Sequence, residues 1–209
     1  MLCKVLGSDD GMIGAGRRGC TAFLQSHQRD TGVDEHCITR PGLDEGDLDG
    51  VPRSVVVLSL IQEVDRDEPF SATETRLRAR LTELVGSGAP VLVCTVFRQV
   101  AERRTPEGSG RLERIRRLNR LTAELSHDLG VTVVDIDRAF AHIGGRVLAS
   151  DYRLGGRLAA EVAGHTLVWS LLSLGLDEVI SPEVQERAMA FHGGLREINR
   201  LVSRRLAAG

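Results

Sequence analysis

The sequence predicts one doubly wound α/β domain, a parallel sheet covered by helices on both faces. Four apolar runs are continuous rather than alternating, as in strands buried on both sides. Stretches with apolar residues at helical spacing lie between and after the later runs. The chain has 209 residues, 42% of them apolar, enough for one sizeable core without help from metals or disulfides.

The first run, Cys3–Leu6, reads as a buried strand close to the N-terminus. An Asp- and Gly-rich stretch, Gly42–Val51, reads as a loop before the second strand, Ser54–Leu60. Ala72–Val85 follows with Leu77, Leu81, Leu84 and Val85 at helical spacing and Gly86 placed to cap it. The third strand is Pro90–Val96. The polar Pro/Gly stretch Thr105–Gly110 is expected to be a loop, leading into a helix over Leu112–Leu129. Ile115, Leu118, Leu121, Leu125 and Leu129 form its stripe, and Gly130 ends it. Val131–Ile136 is the fourth strand. Leu158–Leu174 and the tail Pro182–Leu206 complete the helices, the tail with a break at Gly193-Gly194.

Composition narrows the function classes. Aromatics make up 3%, too few for a stacking surface, and the net charge of −2 gives no electrostatic reason for a nucleic-acid partner. Lys4 is the only lysine, and coding composition accounts for the arginine preference better than binding does. The longest apolar run, Thr166–Leu174, is too short to span a bilayer, and no secretory signal is expected. Cys3, Cys20, Cys37 and Cys94 lack metal-ligand or Cys-x-x-Cys spacing and read as reduced core thiols. A cytoplasmic protein with neither membrane nor nucleic-acid partner is the expectation.

Ligands of doubly wound folds sit beyond the carboxyl ends of the strands. Those positions are Gly7–Asp10, Ile61–Val64, Phe97–Gln99 and the loop around Asp151. Val5-Leu6-Gly7-Ser8-Asp9, the strand Val55–Leu60, the strand Pro90–Thr95, Leu118–Leu121 with Gly130–Asp135, and Leu148-Ala149-Ser150-Asp151 occur in an order that resembles the SGNH (GDSL-like) hydrolases over residues 3 to 174. The resemblance implies a flavodoxin-like three-layer sandwich with a central parallel sheet, extended here by a C-terminal helix over about 177–209. It also implies a serine nucleophile, a histidine base oriented by an aspartate, and an oxyanion hole.

Carried over position by position, the serine slot falls on Asp9, with Ser8 at the family's aspartate. Ile61-Gln62-Glu63-Val64 stands in the Gly-x-Asn-Asp block, so Glu63 replaces the asparagine. Gly42 lies near the second-block glycine. The histidine slot falls on Leu154, and Asp151 alone keeps its family identity. Asp9, Glu63 and Asp151 are thus the candidate catalytic carboxylates, able in principle to form an acid/base pair or a hard-cation site. Ser8, Arg40, Gln62 and Arg153 are the candidate substrate-binding residues. The competing expectation is a degenerate site in which these carboxylates are solvated loop residues paired by Arg40 or Arg153.

Other motifs are weaker. Ser8 as a displaced nucleophile sits one residue out of phase, which turns a strand-end side chain to the opposite face. Gly14-Ala15-Gly16-Arg17-Arg18-Gly19 with Asp34 matches a dinucleotide fingerprint, but Ser8–Gly11 separates it from the strand end that the fingerprint requires. No cofactor is expected. His127 and His142 read as surface residues, His165 as part of the closing helix, and His36 as the histidine nearest the second-block loop. Arg98, Arg103, Arg104, Arg111, Arg114, Arg116 and Arg117 read as a solvated face interleaved with Glu102, Glu107 and Glu113. The tail helix suits packing on the body or a homodimer contact.

Two function classes remain. One is a non-hydrolytic SGNH-like protein binding a small ligand or a partner in the old cleft. The other is an enzyme acting on an acyl or glycosyl substrate through replaced carboxylate machinery; weak ester hydrolysis through Ser8 and a distant histidine is a conservative third option.

Overall fold

The computed structural model describes residues 2–5, 36–38, 54–88, 90–174 and isolated positions between 182 and 207. The chain divides into two units, Val56–Leu154 and the segments on either side of it. The expected loop Gly42–Val51, the dinucleotide-like glycines and most of the tail helix lie outside the described residues.

In the flanking unit, β1 (Leu2–Val5) pairs in parallel with β2 (His36–Ile38), with Cys3 opposite His36 and Val5 opposite Ile38. The sequence reading did not anticipate β2, whose three residues carry too little pattern for a strand assignment. α5 (Arg157–Ser173) matches the expected closing helix. Ala159, Val162, Ala163, Leu167 and Leu171 are buried, and so are His165, Thr166 and Ser170, so the helix is enclosed on more than one face.

In the central unit, β3 (Ser54–Ser59), β4 (Val91–Cys94) and β5 (Thr132–Val134) run parallel, Val57 opposite Leu92 and Val93 opposite Val133. Parallel neighbours need long crossovers. α1 (Phe70–Gly86) supplies the first and α2 (Pro106–Leu129) the second. The stripe of α1 places Leu77 and Leu81 in one hydrophobic cluster with Ile115, Leu118, Leu121 and Leu125 of α2 and with strand residues Val56, Leu58, Val91 and Val93. Each such side chain contributes about 1.5–3 kcal/mol by burial. Val85, expected in the stripe, is exposed, and the positive φ after α1 falls on Gly88 (79°) rather than Gly86.

Two boundaries differ from expectation for local reasons. Thr105–Gly110 is not a loop but the start of α2. The Thr105 hydroxyl accepts from Gly108 N at 3.1 Å and Pro106 occupies the first turn, where its missing N–H costs nothing. Gly108 is required there because a Cβ would collide with the Glu102 carbonyl. At the other end Gly130 adopts φ 73° and closes α2 as expected. The apolar run Val131–Ile136 is a strand only through Val134. Asp135 then accepts from Arg138 N and caps α3 (Ile136–Ile143), which precedes the single turn α4 (Gly145–Leu148). Among the described residues no helix is long and apolar enough to cross a membrane.

Candidate functional site

The carboxyl ends of β3, β4 and β5 are built by three segments that follow them and by the loop 149–154. After β3 the chain makes a 3-10 turn, Ile61–Glu63, seeded where Ile61 N donates to the Ser59 hydroxyl at 3.4 Å. The turn buries Glu63. Arg76 of α1 grips the Glu63 carboxylate with two donors, Nη2 to Oε2 at 2.5 Å and Nη1 to Oε1 at 3.2 Å, and Arg66 Nε adds a third contact at 3.1 Å. Glu68 shares Arg76 at 2.7 Å and accepts from the Thr73 hydroxyl at 2.7 Å. Those two bonds, the Arg76 bond foremost, hold the Glu68 carboxyl below the usual range, and the two carboxylates raise Arg76 further.

Arg114 of α2 braces the same turn through neutral acceptors. It donates to the Glu63 carbonyl at 2.6 Å, the Glu68 carbonyl at 2.9 Å and the Thr73 hydroxyl at 2.7 Å. Arg117 lies over the Phe70 ring at 4.0 Å. Arg111 pairs with Asp65 at 2.7 Å and Arg98 with buried Asp137 at 2.5 Å. The arginine cluster is therefore more than the solvated face the sequence suggested. Arg103, Arg104 and Arg116 fit that description, whereas Arg98, Arg111 and Arg114 tie segments together.

After β4, Asn119 of α2 offers its amide to Val96 in both directions, accepting from Val96 N at 2.7 Å and donating to Val96 O at 2.8 Å. The Thr95 hydroxyl donates to Asp135 at 3.1 Å and accepts from Asp137 N at 3.0 Å, locking the ends of β4 and β5 together. Cys94 is buried in β4, and burial alone pushes its thiol up to about 12, which makes it an inert core residue.

The loop 149–154 closes over these segments. Tyr152 is 1% exposed, its backbone N donates to Gln99 O at 2.8 Å, and its hydroxyl donates to Asp65 at 2.5 Å. Partial burial pushes the Asp65 carboxyl up, but the Tyr152 and Arg111 donors together hold it below the usual range. Asp151 folds back on its own loop, accepting from Arg153 N at 2.9 Å and from the Arg153 guanidinium at 3.1 Å. Arg153 also stacks on the Tyr152 ring at 4.7 Å. Leu154 is 3% exposed with φ 55°.

Of the candidate residues, Glu63, Gln62, Asp151 and Arg153 are described; Asp9, Ser8 and Arg40 lie outside the described residues, as does Gly42. The Glu63 and Asp151 segments meet through the Asp65–Tyr152 bond, while Glu63 engages Arg76 and Arg66 and Asp151 engages Arg153. Gln62 is exposed. Arg153 pairs Asp151, but Glu63 is buried and held by Arg76 and Arg66 rather than solvated and met by Arg40 or Arg153. His36 stands in β2, His127 and His142 are exposed, and His165 is buried in α5. Among the described residues no group of three His, Cys, Asp or Glu side chains is arranged to hold a metal ion.

Sequence reasoning missed Asp65, Arg76, Asn119 and Tyr152. Asp65 carried a usable signal, two residues beyond Glu63 and just past the strand end. Arg76, on an amphipathic helix, carried none. Comparison of the chain with protein-family models, curated proteins and solved structures returns no match.

Proposed function

We propose that the chain is a non-hydrolytic protein with an SGNH-like, flavodoxin-like fold that binds a small ligand at the carboxyl ends of its parallel strands. The observation that carries this is the state of Glu63. A general base needs a lone pair directed at substrate. The Glu63 carboxylate is buried under two guanidinium groups, so its acceptor sites serve the fold. Asp151 supports the same conclusion, since its acceptors are taken by the backbone and side chain of Arg153. Leu154, apolar and buried, supplies no base where the family resemblance would have one. The proposed setting is cytoplasmic, and a homodimer through the expected C-terminal helix is part of the proposal.

The test is hydrolysis of short-chain p-nitrophenyl esters by the purified protein, with Ser8→Ala, Asp9→Ala and Glu63→Gln alongside. Flat traces for all four proteins are expected. Turnover by the wild type that disappears in Ser8→Ala or Asp9→Ala would refute the proposal and make the chain an acyl hydrolase. A thermal-shift screen of small metabolites then identifies the ligand, because a molecule bound only to the native state raises the midpoint by mass action.

A further inference from the structure

The loop 149–154 has an unusual construction. Its first and last residues, Ala149 (φ 47°) and Leu154 (φ 55°), are the only non-glycine residues with positive φ among those described. Left-handed backbone disfavours both side chains, so the closed loop is held against a local preference to unwind. Two buried side chains hold it, Tyr152 and Leu154, of which Tyr152 alone makes hydrogen bonds to other segments in the contacts described. Tyr152 is buried in the cluster that includes Val56, Val91 and Ile115, and it reaches both neighbouring segments, Asp65 through its hydroxyl and Gln99 through its backbone. Apart from Leu154 the rest of the loop is more open: Ala149 and Arg153 are exposed, and Asp151 contacts only its own loop in the bonds described.

From this arrangement we infer that residues 149–154 form a lid over the segments following β3 and β4, hinged at Ala149 and Leu154 and latched by Tyr152 onto Asp65 and Gln99. The lid rests on the ligand-binding function proposed above, for it covers the strand ends where a ligand of this fold class enters. Strained backbone that the surrounding contacts over-determine is characteristic of switch and clamp segments. Local opening of such a segment proceeds without unfolding of the core. Arg111 and Arg153, which flank the Asp65–Tyr152 bond, keep Asp65 charged and so keep the latch strong.

The experiment is amide hydrogen exchange on the full chain, comparing residues 150–154 with β4 and α2. The lid amides of the wild type are expected to exchange well ahead of the core. Tyr152→Phe, which loses one hydrogen bond to a charged acceptor, is expected to accelerate the lid by at least about tenfold and leave β4 and α2 unchanged. Ala149→Gly, at an exposed position, relieves the left-handed strain and is expected to slow the lid. Exchange of lid and core at one common rate in the wild type, or equal acceleration of both in Tyr152→Phe, would overturn the lid.

Asp65→Asn provides an independent readout, because Tyr152 is the only tyrosine in the chain. Burial and the Asp65 acceptor push its phenol up to about 12, so tyrosinate absorbance in Asp65→Asn should develop at lower pH. An unchanged titration would remove Asp65 from the latch. None of these measurements needs a ligand. A lid that opens locally in a protein that hydrolyses esters would leave the lid standing and sink only the non-hydrolytic function.

Discussion

Replacing Glu63 separates a structural carboxylate from a catalytic one. The Glu63 side chain is 9% exposed and Arg76 is 37% exposed, so their bidentate pair lies between two measured limits. Exposed pairs are worth about 0–1 kcal/mol, and breaking a fully buried pair costs about 3–5 kcal/mol. Glu63→Gln preserves shape but removes the charge and turns an amide donor toward Arg76 or Arg66. A loss of about 2–3 kcal/mol follows from the intermediate burial. Arg76→Met should cost a similar amount, leaving the carboxylate with Arg66 alone. The double variant should fall short of the summed loss by about 1.5–2 kcal/mol, since the two residues interact directly. Urea unfolding followed by far-UV circular dichroism reads all three. Additive losses, or a Glu63→Gln loss below about 0.5 kcal/mol, would refute the clamp and leave Glu63 available for chemistry.

Three further outcomes follow from the same region. Asn119→Leu strips both backbone partners from buried Val96 and should cost about 2–5 kcal/mol in urea unfolding, with a loss under about 1 kcal/mol counting against the brace. Gly108→Ala drives a methyl into the Glu102 carbonyl and should lower stability by about 1–3 kcal/mol; a neutral result would mean the first turn of α2 shifts freely. Asp65 and Glu68 have depressed pKa values in the fold, so the unfolded chain binds their protons first as pH falls. Their contribution is complete above the ordinary carboxylate range of about 4 and is lost as pH drops through the depressed values; a urea midpoint flat from pH 5 to 2 would refute it.

Apolar pattern made most of the described framework legible. Continuous runs located β1, β3, β4 and β5 to within two residues at most ends, and the leucine stripe of α2 was correct down to Gly130. The errors arose where one residue type serves two purposes. Thr105, Pro106 and Gly108 have loop chemistry, yet the hydroxyl caps, the proline starts and the glycine admits a carbonyl. Asp135 and Ile136 prolong an apolar run, yet the aspartate starts a helix. At the site, Glu63 does lie just past the end of β3, whereas Asp151 lies in a loop after α4 and follows no strand. Which arginine each would meet depends on packing: Arg153 lies two residues from Asp151, but Arg76 is thirteen residues from Glu63 and on a different element.

The same dependence on packing bears on the near-absence of lysine. Coding composition is a sufficient account of Arg103, Arg104 and Arg116, which stand exposed on or beside α2. It is not sufficient for Arg114. Its three nitrogens address three neutral acceptors on two segments, the Glu63 and Glu68 carbonyls and the Thr73 hydroxyl, all within 2.9 Å. A planar fork satisfies such a set with one side chain, whereas an ammonium offers a single nitrogen and a stronger demand for water. Arg76 repeats the pattern with carboxylates, its guanidinium reaching Glu63 with two nitrogens and Glu68 with one of them. The turn that carries Glu63 is thus held from two helices by guanidinium geometry. Its acidic residues, Glu63 and Glu68, are thereby committed to the fold rather than left open to solvent chemistry.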